Sequence, residues 1–447
     1  MTSIFSERNL GKRTDVLIVG GGIVGCGLLR DLSLHNIDAV LVDKKDFTSQ
    51  TSNSSSKMLH GGIRYLENFD FKLVFEALHE KNLWLKLAPH LAKERKFYLP
   101  TFSDSKRPLW MLKIGLFLYD FLSSFQNRPH QMASAAQTIK DLVGIRTKGL
   151  KGAGIYYDAV VDDGKLTLEV LYDAVLNPKC RAFNHVALID LKIPTSDQDH
   201  FIATLKDELT GETTTIMAKD VVFATGPFTD QMLGSLPELK WQPCLLPSKG
   251  SHLWISKQAL PVSESLVMVG KDDRVIFVIP WHDRVLVGTT EKVINGEMFD
   301  LRPSQEEITY LLDALKDYFP DNEITQTDIL GVFAGVRPLV KESDTNDLGK
   351  TAREHKVFSP HERVRVIVGG KYTTFRVMVQ EVARELCLKN NQTYSADATK
   401  RPLRQPSIIP AFTSKTLDAA SRELIWRHEL PRTEEDILLR RAGKIDS

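Results

Sequence analysis

Residues 16–43 read VLIVGGGIVGCGLLRDLSLHNIDAVLVD, and this stretch is the strongest indication of the fold. The run VLIV is typical of a buried parallel strand, and a G-x-G-x-x-G turn follows it directly at 20–25. A helix and a second strand come next, and the second strand ends in Asp43. This order of strand, turn, helix, strand and acid predicts a βαβ unit that binds a dinucleotide at the start of its helix.

Each position of the turn has a physical task. Gly20 permits the tight turn, Gly22 lets the backbone approach a pyrophosphate, and Gly25 allows close packing of helix on strand. Asp43 is expected to accept hydrogen bonds from ribose hydroxyls. The motif alone does not separate FAD from NAD, and a glycine-rich turn formed by chance is the alternative interpretation.

Composition excludes several classes of protein. The formal net charge is +1, which gives no support for a nucleic-acid surface. The four cysteines are scattered without C-x-x-C spacing, so we predict neither a metal site nor a disulfide framework. The first strand is not preceded by the apolar region of a signal peptide, and no apolar run is long enough to span a bilayer. We expect a cytoplasmic protein, or one bound to a membrane from its cytoplasmic side.

Three further segments suit a dinucleotide site. A polar stretch at 48–57 is followed directly by MLHGGIRY at 58–65. Where small hydroxyl residues stand beside glycines, the backbone can pack against a flat ring and the hydroxyls can donate hydrogen bonds to phosphate oxygens. A strand at 220–226 ends in ATG, and another strand runs into GGKYTT at 369–374 before a helix. Such strand–glycine–helix junctions suit anion binding.

Residues 245–300 alternate short β-rich runs with turns, which predicts a mostly antiparallel second sheet.

Two helices are predicted away from these junctions. LWMLKIGLFLYDFL at 109–122 is strongly apolar, and we expect a helix of the core or of a domain interface, with a membrane-facing patch as the alternative. Ser304 and Glu307 form a capping box that opens a helix with one apolar face.

Ten segments, in order along about residues 15–385, resemble the FAD-dependent glycerol-3-phosphate dehydrogenases. HGGIRYLE at 60–67 and GGKYTTFR at 369–376 are quite specific, whereas the glycine-rich turn is not. The other segments are VGGGIVG, RPLWMLKIGLFLYD, VDDGKLTLEVL, FATGPFTD, KGSH, FVIPW, LVGTTE and AGVRPL.

The resemblance implies an α/β fold in which a Rossmann-like FAD-binding domain is interleaved with a mostly antiparallel substrate domain, as in D-amino-acid oxidases. We assign 14–65, 150–245 and 363–390 to the FAD-binding domain, 66–149 and 246–362 to the substrate domain, and 391–447 to a short C-terminal segment. Family members carry a substantial helical C-terminal domain; here its middle is missing, although 433–441 resembles the family's final segment.

The implied activity is oxidation of sn-glycerol 3-phosphate to dihydroxyacetone phosphate by hydride transfer to FAD, with electrons passed to a quinone. The family also implies peripheral association with the cytoplasmic face of the inner membrane and a homodimer. The alternatives are an FAD-dependent oxidase or dehydrogenase of another small hydroxy acid or amine, and a non-catalytic FAD-binding module.

Site residues are carried over by matching motifs. The implied catalytic residues are His60, Arg64, Arg337 and Lys371. His60 is the candidate general base because its intrinsic pKa lies near working pH, and a structural histidine is the alternative. Arg337 and Arg353 are the expected phosphate clamp, since a guanidinium bonds two oxygens at once, and surface ion pairs are the alternative.

Lys371 would stabilise negative charge on the reduced flavin. Tyr65 and His252 complete the predicted substrate-binding residues, although a structural role for His252 is at least as well supported. The residues predicted to bind the cofactor are Gly20, Gly22, Ile23, Val24, Gly25, Asp43, Lys44, Thr51, Ser52, Ser55, Ser56, Lys57, Leu59, Gly61, Gly62, Thr225, Gly226, Gly370, Lys371, Thr373 and Thr374.

Overall fold

The structure is a computed structural model that describes residues 3–195, 199–341, 354–412 and 417–443. The strands are β1 Arg13–Val19, β2 Ala39–Val42, β3 Met58–Leu59, β4 Ala92–Phe102, β5 Gln131–Ser134, β6 Leu150–Val161, β7 Cys180–Phe183, β8 Val186–Lys192, β9 Phe201–Asp207, β10 Thr213–Phe223, β11 Leu245–Ser256, β12 Ser265–Val269, β13 Val275–Trp281, β14 Arg284–Gly288, β15 Lys292–Val293, β16 Ile329–Val340, β17 His355–His361 and β18 Val364–Gly369. The helices are α1 Ile4–Glu7, α2 Ile23–Leu34, α3 Phe71–Leu87, α4 Leu109–Leu122, α5 Ala135–Asp141, α6 Asp163–Val175, α7 Thr229–Gly234, α8 Gln305–Tyr318, α9 Phe375–Lys389 and α10 Ala419–His428.

The first sheet is the predicted dinucleotide-binding sheet. Its parallel strands lie in the order β18-β10-β1-β2-β7, with β17 antiparallel on one edge and a β8–β9 hairpin attached to β10. Both faces are buried, as the continuous apolar run VLIV in β1 requires. Helices α2, α6 and α9 contribute to the core cluster on one face.

The order of these strands places a ligand crevice at the end of β1. The chain leaves β1 towards β2 on one side and returns to β10 on the other. Loops that leave neighbouring strands in opposite directions open a crevice at the carboxyl ends of those strands. The glycine-rich turn therefore stands at the topological switch point of the sheet.

The second sheet is mostly antiparallel, as the sequence predicts. Its main path is β15-β11-β14-β13-β12-β4-β6-β3, with β16 on β11 and β5 on β6. The predicted capping box is present: Ser304 accepts a hydrogen bond from the Glu307 amide at the start of α8. Apolar side chains of α8 join the core cluster of this sheet.

Three strands correct the predicted domain boundaries. β3 and β6, placed in the FAD-binding part, pair with each other in the second sheet, and β17, placed in the substrate part, pairs with β18 in the first. The physical reason is local pairing: β17 and β18 form a hairpin, and β6 pairs with β4 along its length. The rest of the division stays a prediction.

Helix α4 has the predicted bounds but is not a core helix. It buries Leu116, Tyr119 and Asp120, whereas Trp110 is 66% exposed and Phe117 is 57% exposed. The expectation of a core or interface helix is wrong for this face of α4, because the helix rests on the second sheet by one side only. No helix in the described part of the chain combines the length and the apolarity needed to cross a bilayer.

Candidate functional site

A cavity of about 660 Å³ lies at the carboxyl ends of β1, β2, β10 and β18 and extends to the second sheet. Its size is that of an ordinary ligand or cofactor site. At one end it is lined by the glycine-rich turn, Asp43 and the start of β8. At the other end it is lined by His60, Arg337 and Lys371. The cavity thus joins the predicted dinucleotide site to the predicted substrate residues.

The backbone of the glycine-rich turn is packed so closely that two of its glycines, Gly20 and Gly25, have no room for a side chain. Gly20 has φ +112°, a conformation that side chains disfavour, and a Cβ there would lie 2.5 Å from the Ala224 carbonyl oxygen. A Cβ on Gly25 would lie 1.9 Å from the Gly20 carbonyl oxygen. Gly25 does not line the cavity, because its task is to let α2 approach the turn.

Asp43 anchors the turn from the end of β2. Its carboxylate accepts hydrogen bonds from the Gly21 amide at 2.6 Å and the Lys45 amide at 2.8 Å. Burial raises the pKa of Asp43 to about 6, against the opposing effect of those two amides. Asp43 also lines the cavity, so it is placed where a ribose can reach it.

The polar stretch 48–57 is ordered by two anchors. The Ser52 hydroxyl accepts a hydrogen bond from the Ile23 amide at 2.9 Å, which ties the stretch to the start of α2. Ser55 donates to the buried Asp163 carboxylate at 2.6 Å, and Lys57 pairs with the same carboxylate. Lys57 is directed at Asp163 and does not line the cavity.

The substrate end begins at His60. Its amide donates to the Thr373 hydroxyl at 3.2 Å, which joins the HGGIRY segment to the last glycine junction. The Lys371 ammonium lies 3.8 Å from the centre of the Tyr65 ring, a cation–π contact on the cavity wall. Arg64 lies in the 3-10 turn Ile63–Asn68, is exposed, and does not line the cavity.

The loop after His60 is held from below by a buried hydrogen-bond chain. The Gly61 amide donates to the Tyr119 hydroxyl at 2.9 Å, and Tyr119 donates to Asp158 at 2.8 Å. Burial raises the pKa of Asp158 to about 6, although the nearby Lys81 ammonium lowers it. Through Tyr119, helix α4 is therefore linked to the loop that follows His60, which lines the cavity.

Arg337 stands on β16 with its guanidinium at the cavity. It donates to the Thr289 hydroxyl at 2.9 Å and to the Thr290 carbonyl at 3.4 Å. These bonds fix the direction of the half-buried side chain. A guanidinium at the wall of a cavity suits the binding of an anion.

Glu307 braces the strands under Arg337. Its carboxylate accepts hydrogen bonds from Ser251 at 2.9 Å and Thr290 at 2.8 Å, and it pairs with Lys249 at 2.6 Å. Burial would raise its pKa, but these donors and the Ser304 amide lower the pKa of Glu307 to about 2. The capping residue of α8 is thus also an anchor of the substrate end.

His252 is neutral at ordinary pH. Burial, followed by the charges of Arg337 and Lys57, shifts its pKa well below the usual value. Its Nε2 lies 2.9 Å from the Ser56 hydroxyl, and its ring stacks on Phe333 with the ring centres 4.8 Å apart. These contacts hold the imidazole at the cavity wall.

The structure brings most of the predicted residues together. Those that line the cavity are Gly20, Gly22, Ile23, Val24, Asp43, Lys44, Thr51, Ser52, Ser55, Ser56, His60, Tyr65, Thr225, Gly226, His252, Arg337, Gly370, Lys371 and Thr373. Those that do not are Gly25, Lys57, Leu59, Gly61, Gly62, Arg64 and Thr374. Leu59 and Thr374 are buried. Arg353 lies outside the described residues.

The prediction did not name four residues that hold this site. Asp163, Thr289 and Tyr119 lie within segments that carry the resemblance, VDDGKLTLEVL, LVGTTE and RPLWMLKIGLFLYD, so a signal for them was present. Asp158 lies outside those segments, and only the three-dimensional structure shows that it meets Tyr119 below Gly61.

Comparisons with known proteins agree on one group. The sequence model of a family described as FAD dependent oxidoreductase (DAO) matches residues 15–372. The chain is similar to the glycerol-3-phosphate dehydrogenase of Synechocystis sp., with 33% identity over 93% of this chain and 77% of that protein. It is also similar to the aerobic glycerol-3-phosphate dehydrogenase of Staphylococcus saprophyticus, with 31% identity over 82% of this chain and 66% of that protein.

The solved structures give the same picture. The glycerol-3-phosphate dehydrogenase from Bacillus halodurans complexed with FAD superimposes with a TM-score of 0.71 at 27% identity, over 89% of this chain and 68% of that chain. The chain spans between 61% and 77% of the length of the first curated relatives it matches.

Proposed function

The chain belongs to the FAD-dependent glycerol-3-phosphate dehydrogenases within the FAD-dependent oxidoreductases, and from that membership we propose that it oxidises sn-glycerol 3-phosphate to dihydroxyacetone phosphate. The membership confirms the resemblance drawn from HGGIRYLE and GGKYTTFR. The observation that carries the proposed substrate is Arg337, a guanidinium held at the cavity wall by Thr289 and Thr290.

The cavity fits the cofactor of the family. At the start of α2, glycines expose the backbone to a pyrophosphate, and Asp43 lines the wall beyond them. The cavity then continues past Thr225 and Gly226 to the residues around Lys371, so one elongated ligand can reach both ends. FAD, when bound, supplies the hydride acceptor for the oxidation of the alcohol.

The residues of the chain supply binding and proton transfer. Arg337 binds the phosphate through its guanidinium at the cavity wall. His60 takes the hydroxyl proton of the substrate, since an imidazole titrates near working pH and arginine does not. Lys371, at the last glycine junction, lines the cavity and would supply positive charge to a reduced flavin bound there. The roles assigned to Tyr65, His252, Arg64 and Arg353 stay predictions.

The proposed electron acceptor is a quinone reached from a membrane surface. The support is α4, whose exposed face carries Trp110, Ile114, Phe117 and Phe121, with Phe125 just beyond its end. The buried face of the same helix holds the Gly61 loop through Tyr119. A helix with an apolar face exposed over most of its length suits the lipid interface, where a quinone dissolves. The homodimer stays a prediction from the family.

Replacement of Arg337 tests the phosphate clamp. In Arg337→Ala, KM for glycerol 3-phosphate should rise by roughly 10- to 100-fold, because hydrogen bonds to a charged ligand are lost. Steady-state kinetics with glycerol as the second substrate should show no comparable loss, since glycerol has no phosphate. Arg274→Ala removes a guanidinium that pairs with Asp272 in the turn between β12 and β13, and it should leave the kinetics with both substrates unchanged. Equal losses for both substrates would remove the argument for a phosphate clamp.

Flotation with vesicles of phosphatidylcholine and phosphatidylglycerol tests the membrane surface. The wild-type protein should float, and Phe117→Glu should remain at the bottom of the gradient because it places a charge on the apolar face. Leu388→Glu is the matched control, since Leu388 is an exposed apolar residue of α9. Wild-type protein that stays at the bottom, or a Phe117 variant that floats equally well, would contradict the proposed surface.

A further inference from the structure

We call the end of the cavity lined by the glycine-rich turn, Asp43 and the start of β8 the cofactor end. The last described residues of the chain are packed against the first sheet beside this end. The π-helical turn Asp436–Arg441 is inserted so deeply that the side chain of Arg441 is fully buried. Arg441 pairs with the buried Asp46, and Arg440 donates to the same carboxylate at 2.9 Å. Asn184 donates to the other oxygen of Asp46 at 2.8 Å. A carboxylate just three positions beyond Asp43 is thus fixed by two arginines from the end of the chain.

Two more contacts complete the arrangement. Asp436 lies 3.0 Å from Nε2 of His185. Arg432 donates to both oxygens of Asp207, each at 2.8 Å, in the paired geometry that a guanidinium favours. We call the four residues Arg432, Asp436, Arg440 and Arg441 the C-terminal clamp. None of the four lines the cavity.

The residues held by the clamp lie behind the cavity wall near Asp43. His185 donates its amide to the Lys45 carbonyl at 2.9 Å, and Val186 donates to the Asp43 carbonyl at 2.7 Å. The cavity wall there includes Lys45, Val186 and Glu208, which are next neighbours of the clamped Asp46, His185 and Asp207. The loop after β2 therefore cannot move without breaking buried ion pairs.

The clustering of acids and a histidine does not indicate a metal. Ligand atoms of Asp46, His185 and Asp436 lie within 4.8 Å of one another. Both oxygens of Asp46 already accept hydrogen bonds, three of them from Arg440 and Arg441, and Asp436 accepts from the Arg432 and Thr433 amides. Two buried guanidinium groups would also repel a cation.

We propose that the C-terminal clamp positions the loop after β2 for the adenosine half of FAD, so that Arg432, Asp436, Arg440 and Arg441 are positioning residues for cofactor affinity. The inference rests on FAD as the occupant of the cavity and not on the substrate. It explains why 433–441 resembles the family's final segment: this segment pairs with the loop after β2.

FAD binding by the apoprotein tests the proposal. Titration of flavin-stripped protein with FAD, followed by quenching of flavin fluorescence, should show a Kd raised by about tenfold in Arg441→Met and in Arg432→Gln, a usual size for coupling between neighbouring sites. Arg427→Gln, which removes an exposed ion pair with Glu423 on α10, should bind FAD like wild type. Hydrogen exchange at the Lys45 and Thr48 amides should become faster in the clamp variants only.

A purely structural role of the segment makes a different prediction. The clamp variants would then unfold at a lower temperature but bind FAD with the wild-type Kd at temperatures where they are folded, and this result would overturn the proposal. Asp436→Asn keeps the shape of the side chain and provides a folded variant if Arg441→Met does not fold. Because FAD binding is measured without substrate, failure here would leave the proposed reaction untouched, and failure of the proposed reaction would leave the clamp intact.

Discussion

The two ends of the cavity are built in different ways. The cofactor end is formed largely by one continuous stretch, 20–52, in which backbone meets backbone at distances that exclude a Cβ. The substrate end is assembled from remote segments: the His60 amide bonds the Thr373 hydroxyl across 313 positions of sequence. Its shape depends on charged and polar side chains such as Arg337 and Glu307. Local steric demand specifies the glycine-rich turn at the first end, whereas long-range polar contacts specify the second end and also hold the loop after β2 at the first.

A single methyl group should destroy the cofactor end. In Gly25→Ala, the new Cβ would lie 1.9 Å from the Gly20 carbonyl oxygen, and both partners are backbone that has no room to yield. We expect protein purified without flavin, and a loss of stability of at least about 1–3 kcal/mol from overpacking. The absorbance spectrum of the purified protein and its urea unfolding curve measure both effects.

Gly115→Ala provides the matched control. A Cβ on Gly115 of α4 meets nothing within 4 Å, so this variant should keep its flavin. It should also gain roughly 0.5–1 kcal/mol of stability, because alanine is the better helix former. A Gly25 variant with a full complement of FAD would show that the cofactor end is less rigid than its geometry implies.

The substrate end should respond to the loss of one buried charge. Glu307→Gln leaves Lys249 without its buried partner, and removal of one member of such a pair costs about 3–5 kcal/mol. Unfolding in urea should show this loss, and KM for glycerol 3-phosphate should rise because Thr290, which supports Arg337, is released. Glu306→Gln changes the exposed neighbouring carboxylate, which pairs with the exposed Lys292, and it should change neither quantity.

The effect of Glu307 should depend on pH in one direction. Burial opposes ionisation, but hydrogen bonds from Lys249 and its other donors lower the pKa from 4.5 to about 2. The stability that the carboxylate contributes is therefore complete above pH 4.5 and is lost as the pH falls from there towards 2. The difference in unfolding free energy between wild type and Glu307→Gln should shrink over that range. A difference in unfolding free energy that stays constant over that pH range would contradict the lowered pKa of Glu307.

The smallest expected effect concerns the link between α4 and the His60 loop. Tyr119→Phe removes the hydroxyl that accepts the Gly61 amide, which should cost about 1 kcal/mol and lower kcat severalfold. Tyr98→Phe is a matched control, since the hydroxyl of Tyr98 on β4 donates to Asp141, at the end of α5, at 2.9 Å. The control should lose similar stability without loss of kcat. Equal kcat in the two variants would remove Tyr119 from the account of the site.

The same contrast explains which predictions succeeded. The βαβ unit, the glycine-rich turn and Asp43 were predictable because periodicity and steric demand are local properties of the sequence. The strands at 220–226 and 364–368 were also recognisable from their glycine junctions. The grouping of His60, Arg337 and Lys371 came from the family resemblance, since no local pattern indicates that such distant residues meet.

The failures have equally specific causes. The apolar run of α4 gave no indication that only one of its faces would be covered. Glu307 was recognised as a helix cap, but its bonds to Ser251 and Thr290 depend on how α8 meets β11. Asp46 and the C-terminal arginines lie at opposite ends of the chain, so their pairing depends entirely on the tertiary structure.

Anaerobic titration of the flavin-loaded protein with sn-glycerol 3-phosphate is the most direct test of the proposed reaction. We predict that this compound bleaches the visible absorbance band of the flavin, that dihydroxyacetone phosphate is formed in equal amount, and that glycerol has no such effect. A flavin that stays oxidised with glycerol 3-phosphate, but is bleached by another hydroxy acid or an amine, would contradict the proposed substrate.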